Sequence, residues 1–498
     1  MNFRRIVLAI AIILPVTAQA QYKDTTITQN DSTLVLSLDD AIKIALSENT
    51  TVKVADMEVK RTQYAKKGSY GALFPQINAT ASFQHTIKKQ RMYMGGGSSS
   101  GGGNMSSMIG PALEPINYYL AELLKKNPDI APYQAAPSKD SGSSSSDGGF
   151  EVGRKNTWNA GINASMPLVN AQLWESLRIS GDQVELAVEQ ARESRLGTVT
   201  QVKQAFYAVL MAKASFDVYT AVFDNAVQNL KLTQSRYNVQ KASELDLARA
   251  QSNVAAAIPN LFNAENAITL SLWQLKAVMG LDLDMEIDVA GTLEDYAQHM
   301  FYDINEGADA SLSNNSKLRQ LESQAQILAR QIRMQQDAYI PTLSVNFAYS
   351  YNAMSEDFKF QNYQWTPYSY VGLSLNIPIF SGGTRYHTIK QTRMQASELD
   401  LQRTETERQL RIGIRQSLST MDTAMKTYDA AKEALTSAEK AYDIASKSFE
   451  VGKSTLTDLN NTELTLTQTR LQAAQAVYNF VVAKAGLEQT LGYDYTQQ

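Results

Sequence analysis

The chain of 498 residues contains no cysteine. That excludes disulfides, thiol nucleophiles, Cys-ligated zinc and a lipidated N-terminal cysteine. Histidine is scarce: His85, His299 and His387 are the three present. They are scattered, and none has a carboxylate at metal-ligand spacing. Each reads as solvated or structural, so no metal and no cofactor are expected. Charge of one sign is not in excess, since 46 Lys plus Arg face 50 Asp plus Glu for a net charge of −4. No K/R-rich cluster stands out, which argues against nucleic acid as a partner. Proline is missing between Pro167 and Pro259 and again after Pro378. There is no nucleophile–base pair and no Gly-rich phosphate loop, so no enzyme activity is expected. Beyond the N-terminus, no stretch reads as apolar and long enough for a transmembrane helix.

What is present begins with a basic start, "MNFRR", a short apolar run, "IVLAIAIILPV", and "AQA" ending at Ala20. This is the plan of a signal peptide over residues 1–20, cleaved before Gln21. The mature protein is therefore expected to be exported. If it enters a membrane, it must do so with strands.

The rest of the chain reads as two versions of one plan. "FEVGKSTLTDL" (Phe449–Leu459) has a weak ungapped copy in "YNVQKASELDL" (Tyr237–Leu247), at an offset of about 212. "AGINASMPLVN" (Ala160–Asn170) matches "VGLSLNIPIFS" (Val371–Ser381) at nearly the same offset. Ala41–Pro75 aligns with Gly307–Pro341 at an offset of about 266. The first copy thus carries about 55 extra residues between Pro75 and Ala160. They include "MGGGSSSGGGNMSSMIG" and "SKDSGSSSSDGG" around a short amphipathic piece, "PINYYLAELLKK". Gly/Ser tracts bury too little apolar surface to offset their ordering entropy. Met92–Asn156 is therefore expected to be a long, largely mobile loop.

Each copy holds two strands with strict alternation. Ile77, Ala79, Ala81 and Phe83 interleave with Asn78, Thr80, Ser82 and Gln84, and Trp158–Met166 alternates likewise. In the second copy Leu343, Val345, Phe347, Tyr349 and Tyr351 form one face of a strand, and Val371, Leu373, Leu375 and Ile377 one face of the next. A period of two gives every strand one apolar and one small-polar face. Runs of about ten residues suit tilted bilayer-crossing strands. The polar faces lack the Lys and Glu of a solvated sheet, the alternative reading. Trp158, Trp365, Tyr368 and Tyr370 lie near strand ends, where an interfacial aromatic girdle would want them. Four strands cannot close a barrel, and an open edge in lipid is not viable. Other copies of the chain must complete the wall, as a dimer, a trimer or more.

Long proline-free helices follow the strands. Val202, Val209, Phe216, Phe223, Leu230 and Tyr237 recur every seven residues, as do Ile414, Met421, Tyr428, Leu435, Tyr442 and Phe449. Alanines fall three positions later, notably Ala424, Ala431, Ala438 and Ala445. Such seams bring helices close in a left-handed coiled coil. "VGKST" interrupts the heptads: Gly452 supplies the positive φ that ends one helix, and Ser454 or Thr455 caps the next. The segment is a hairpin tip. In the first copy the glycine is Gln240, and that turn is expected to be built differently.

These features resemble the TolC-like outer-membrane efflux factor family over nearly the whole mature chain. The resemblance is carried by "LSLDDAIKIALSEN", the strand starts "LFPQI" and "YIPTL", the strand ends "MPLVN" and "IPIFSGG", and the tip "FEVGKSTLTDL". It implies a mainly α fold with a membrane β-barrel contribution. A homotrimer would make a twelve-stranded outer-membrane barrel, continued by coiled-coil helices as a periplasmic α-barrel. It further implies a passive exit duct of a tripartite efflux or type I secretion system, without catalysis. Its partners would be a periplasmic adaptor (a membrane fusion protein), an inner-membrane pump and outer-membrane lipid.

By the same resemblance the hairpin tips close the tube and dock the adaptor. The gate falls near Asp458, with Asp246 as its counterpart, and Asn461 stands where a second family aspartate can occur. Phe449 and Ser454 stand in place of a tyrosine and an arginine that can lock the closed state. Acidic groups around a threefold axis would repel one another and favour cations; the alternative for Asp458 is a helix-start carboxylate favoured by the dipole. The adaptor-facing turns would be Val451–Gly452 and Val239–Gln240. The expected organisation is a first repeat over 21–281, an equatorial linker over 282–306 and a second repeat over 307–498. Two other classes stand beside the duct: an exported coiled-coil structural or adhesive protein, and an outer-membrane enzyme.

Overall fold

The computed structural model describes residues 34–93, 125–126, 149–300, 312–359 and 363–493. The expected signal peptide, nearly all of the two Gly/Ser tracts and of "PINYYLAELLKK", and residues 301–306 of the expected linker lie outside the described residues. In chain order the elements are β1 (Leu34–Leu36), α1 (Leu38–Glu48), α2 (Thr50–Tyr70), β2 (Gln76–His85), β3 (Gln90–Tyr93), β4 (Gly149–Val152) and β5 (Asn156–Val169). There follow α3 (Ala171–Asn238), α4 (Glu244–Met279), β6 (Ile287–Val289), α5 (Leu293–Ala297), α6 (Ser316–Asp337), β7 (Thr342–Ser355), β8 (Trp365–Asn376), α7 (Thr384–Glu450) and α8 (Leu456–Leu491). They form two compact units. A sheet unit is made of Tyr70–Trp174 and Gln336–Gly383, and a helical unit of the remainder.

The sheet unit is a four-stranded antiparallel sheet in the order β2-β5-β7-β8. Register sorts its side chains, because directly paired residues share a face. Phe83 pairs Trp158, Trp158 pairs Ala353, and Ala353 pairs Trp365, giving one cross-sheet row. Parallel to it run Ile77–Ala164–Phe347–Val371 and Met166–Val345–Leu373. The alternate rows are polar or small: Asn78–Asn163–Ala348 and Thr80–Gly161–Ser350. The apolar face is open to the surroundings, with Ile77 at 69%, Val371 at 72% and Leu373 at 69% exposure. From the Ala353 row to the Leu343 row is ten residues of β7, about 34 Å of strand. At a tilt of about 40° that is close to 26 Å of height, the apolar band of a bilayer-crossing barrel.

Two expectations are corrected here. Tyr370 pairs Ala348 and Tyr368 pairs Ser350, so both tyrosines lie in rows of the small-polar face, opposite to Trp158 and Trp365. Strand-end position alone had placed all four together; parity along the strand separates them. The proposed loop Met92–Asn156 is also shorter than expected at both ends. β3 and β4 pair from Gln90↔Val152 to Tyr93↔Gly149, and Asn156 already belongs to β5. These strands have four residues each, too few for periodicity to register.

In the helical unit α3 has 68 residues, a rod of about 100 Å. Part of the heptad seam is buried, namely Val202, Val209, Ile414, Met421 and Phe449 with Ala424, Ala431 and Ala438, while Tyr237 at its end is 38% exposed. Among the described residues α3 is also the one helix with an 18-residue window apolar enough to cross a membrane by length and composition (hydropathy 1.2). No such stretch was expected. Its Phe206, Val209 and Leu210 are spent on the protein's own core, where they pack with Leu275, Met279, Met421 and Phe480.

The helical stretch ahead of β2 is divided at Asn49 into α1 and α2. Asn49 donates from Nδ2 to the Val278 carbonyl (2.6 Å), and its Oδ1 accepts from the N–H groups of Thr51 and Val52. Asn315 repeats this at the start of α6: it donates to the Thr490 carbonyl (2.7 Å) and accepts from Lys317 and Leu318. Each asparagine ties a helix start to a glycine-ended helix, since α4 stops at Gly280 (φ 76°) and α8 at Gly492 (φ 74°). Separately, β1 pairs β6 in parallel, Leu34↔Ile287 to Leu36↔Val289. These three-residue strands were invisible to periodicity.

Candidate functional site

Each long hairpin turns on the same backbone motif. α7 ends with Gly452 at φ 78°; the Gly452 N–H donates to the Phe449 carbonyl (3.0 Å) and Lys453 N–H to Ser448 (2.8 Å). This is a Schellman ending, which satisfies carbonyls that the helix leaves open. α3 ends identically: Gln240 N–H donates to Tyr237 (2.9 Å) and Lys241 N–H to Arg236 (2.8 Å). Gln240 takes φ 60°, the one non-glycine residue with positive φ among the described residues. The expectation of a differently built turn is therefore overturned. A side chain in the left-handed region costs about 1 kcal/mol, which two closing hydrogen bonds offset.

The next helix in each hairpin starts with a capping box. Thr455 Oγ1 accepts from the Asp458 N–H (3.2 Å), while Asp458 Oδ2 accepts from the Thr455 hydroxyl (2.7 Å) and N–H (3.2 Å). Ser243 and Asp246 do the same, with Asp246 Oδ2 accepting from the Ser243 hydroxyl (2.7 Å) and N–H (3.2 Å). Hydrogen bonds from these hydroxyl and N–H donors hold both carboxyls below the ordinary carboxylate range. Both candidate gate aspartates thus close a cap within their own helix. Asn461, three residues after Asp458, is exposed on α8 and lines a cavity with Asn460 and Glu463. Val451 and Val239 project at the turns, 68% and 62% exposed.

Sequence reading missed the group that joins the two hairpins. Arg236, in the last turn of α3, donates from one guanidinium nitrogen to the carbonyls of Phe449 and Glu450, both at 2.6 Å. Its guanidinium carbon also lies 4.9 Å from the Phe449 ring centroid. A cation thereby meets the carbonyl end of α7, where the helix dipole favours it. Phe449 is buried with Ala250, Leu456 and Leu459, and Leu230 and Tyr442 pack around them. The signal was available: Arg236 ends the heptad helix next to Tyr237, the counterpart of Phe449. Ser454, at the other expected lock position, donates to the Ala445 carbonyl (3.3 Å). Among the described residues no group of three His, Asp or Glu side chains is placed to hold a metal ion.

The chain belongs to the outer membrane efflux protein family, whose model matches residues 120–281 and 308–493. It is 23% identical over 234 residues to outer membrane protein TolC of Vibrio cholerae, covering 47% of this chain and 53% of that protein. The chain thus spans about half the length of that relative. It is 23% identical over 349 residues to TolC of Escherichia coli, covering 67% and 70%. The solved CmeC outer membrane channel of Campylobacter jejuni superposes with a TM-score of 0.64 over 91% of this chain and 85% of that one, at 16% identity. That likeness shows the fold: long helices with a contributed sheet. The family is one of outer membrane efflux proteins, and both TolC relatives are outer membrane proteins.

Proposed function

We propose that the protein is a passive exit duct of the outer membrane, assembled as a homotrimer and continued through the periplasm by its long helices. One observation carries this reading. A four-stranded sheet presents an apolar face about 26 Å tall, a small-polar face opposite, and two outer edges, β2 and β8, each paired on one side within the chain. Backbone groups on such edges need partners in lipid, and three copies supply twelve strands. Trp158 and Trp365 belong to the girdle at one end of the apolar face, and Tyr368 and Tyr370 to the lumen wall. The duct performs no chemistry of its own.

The periplasmic partners are an adaptor and an inner-membrane pump of a tripartite efflux or type I secretion system. The exposed turns Val451–Gly452 and Val239–Gln240 are the docking surface, and Asp458, Asp246 and Asn461 surround the narrow end. The repeats run over 21–281 and 307–498, with the linker over 282–306 between them; the matched pairs Asn49 and Asn315, Gly280 and Gly492 support that division. Reconstitution of the detergent-purified protein into planar bilayers tests the reading. Stable ion conductance from a particle of trimer mass is expected. A monodisperse monomer that stays soluble without detergent and passes no current would refute it.

A further inference from the structure

Near the hairpin tips α3, α4 and α8 border a half-open cavity of about 510 Å³. That is the size of a small-molecule site, far larger than a bare metal ion needs. The residues that line it include Asn229, Asn253, Asn260, Asn461, Tyr219 and Glu463, together with aliphatic residues. No Lys, Arg or His is among the described residues that line it. Glu463 is half-buried; its Oε1 is closed off from solvent and has no hydrogen-bond partner. The nearby Arg470 is engaged by Glu439 at 3.1 Å. Burial pushes the Glu463 carboxyl above the ordinary carboxylate range, with a hydrogen bond from Asn225 opposing the shift. The matching position of the first hairpin, by the offset of about 212, is the neutral Gln251. The repeated fold therefore does not require a charge here.

We infer that this cavity is a binding site for a small organic cation of the alkylammonium class, with Glu463 as counter-ion and the amides and Tyr219 ring as its walls. A half-buried carboxylate with one oxygen unpartnered favours a cation that brings its charge without a tight hydration shell. A quaternary ammonium does so, and it is attracted by an aromatic face. Amide oxygens orient toward it as the polar part of the wall. The site is distinct from the capping carboxyl of Asp458, whose Oδ2 accepts from Thr455.

Calorimetric titration of the detergent-purified protein with choline tests this, with the uncharged isostere 3,3-dimethylbutan-1-ol and magnesium chloride as parallel titrants. Choline is expected to bind at least tenfold more tightly than the isostere. Glu463→Gln should lose at least tenfold, and Asp458→Asn should leave the affinity unchanged. Affinity should weaken on acidification, beginning above the ordinary carboxylate range, because protonation removes the counter-ion. Asn253→Leu, which fills the cavity and leaves the charge, should weaken choline if Glu463→Gln does not assemble. Equal binding of choline and the isostere, binding of magnesium only, or full affinity in both cavity variants would overturn the assignment. Conductance is a separate measurement, so loss of the duct reading and loss of this site are told apart.

Discussion

Gly452 and Gln240 occupy matching turns, with φ of 78° and 60° and the same pair of closing hydrogen bonds, yet one is a glycine and the other is not. The two glycines that end α4 and α8 make a sharper contrast. A Cβ on Gly452 would meet nothing within 4 Å, whereas one on Gly492 would lie 2.3 Å from the Asn314 carbonyl oxygen. At the tips glycine is a convenience of backbone conformation; at the asparagine clamps it is a steric requirement. The same motif is therefore tolerant at one end of a hairpin and intolerant at the other.

The largest effect is expected where the backbones touch. Gly492→Ala combines positive-φ strain with a main-chain clash and should cost about 3 kcal/mol or more, read as loss of the cooperative melt or of assembled protein. A wild-type melt for this variant would break the contrast. Arg236→Ala comes next. It removes two charge-assisted hydrogen bonds to the end of α7 and should lower local stability by about 2 kcal/mol. Hydrogen exchange should speed up at both tips together, since the guanidinium joins them. Faster exchange in α3 alone would mean the hairpins are not coupled.

Smaller and opposite effects should come from the turn residues themselves. Gly452→Ala should destabilise the tip by about 1 kcal/mol, and Gln240→Gly should stabilise its turn by a similar amount. Exchange rates at Lys453 and Lys241 would report each. The smallest effect is pH dependence of the caps. Asp246 and Asp458 have carboxyls held below their unfolded values. Their contribution is present above the ordinary carboxylate range and is lost as pH falls through the lowered folded values. Tip amides should therefore keep their protection at mildly acidic pH and lose it only in stronger acid. Asp458→Asn should remove its share of that dependence.

Much of this was legible in the sequence because it is periodic. Strand parity named the face carrying Ile77, Trp158 and Val371, and heptads named Val209, Met421 and Phe449. The paired offset located both tips. What escaped has no period. Gln240 in the left-handed region depends on hydrogen bonds that composition does not advertise. Arg236 reaches a helix more than two hundred residues away in the chain. The asparagines at 49 and 315 look like ordinary helix-start residues until the carbonyls of Val278 and Thr490 are in place. Tyr368 and Tyr370 show a different limit: nearness to a strand end says nothing of the face, which parity alone decides.

The spacing of the two packed regions has a mechanical consequence. Met421 belongs to the main core and Phe449 to the small cluster at the tip, and 28 residues of α7 separate them, a lever arm of about 42 Å. A tilt of about 5° about the fulcrum at Met421 would sweep the end by about 4 Å, more than the reach of a hydrogen bond. Modest repacking among the core side chains is thus geared up into a displacement of several ångströms at the tip, without unwinding a single turn of helix.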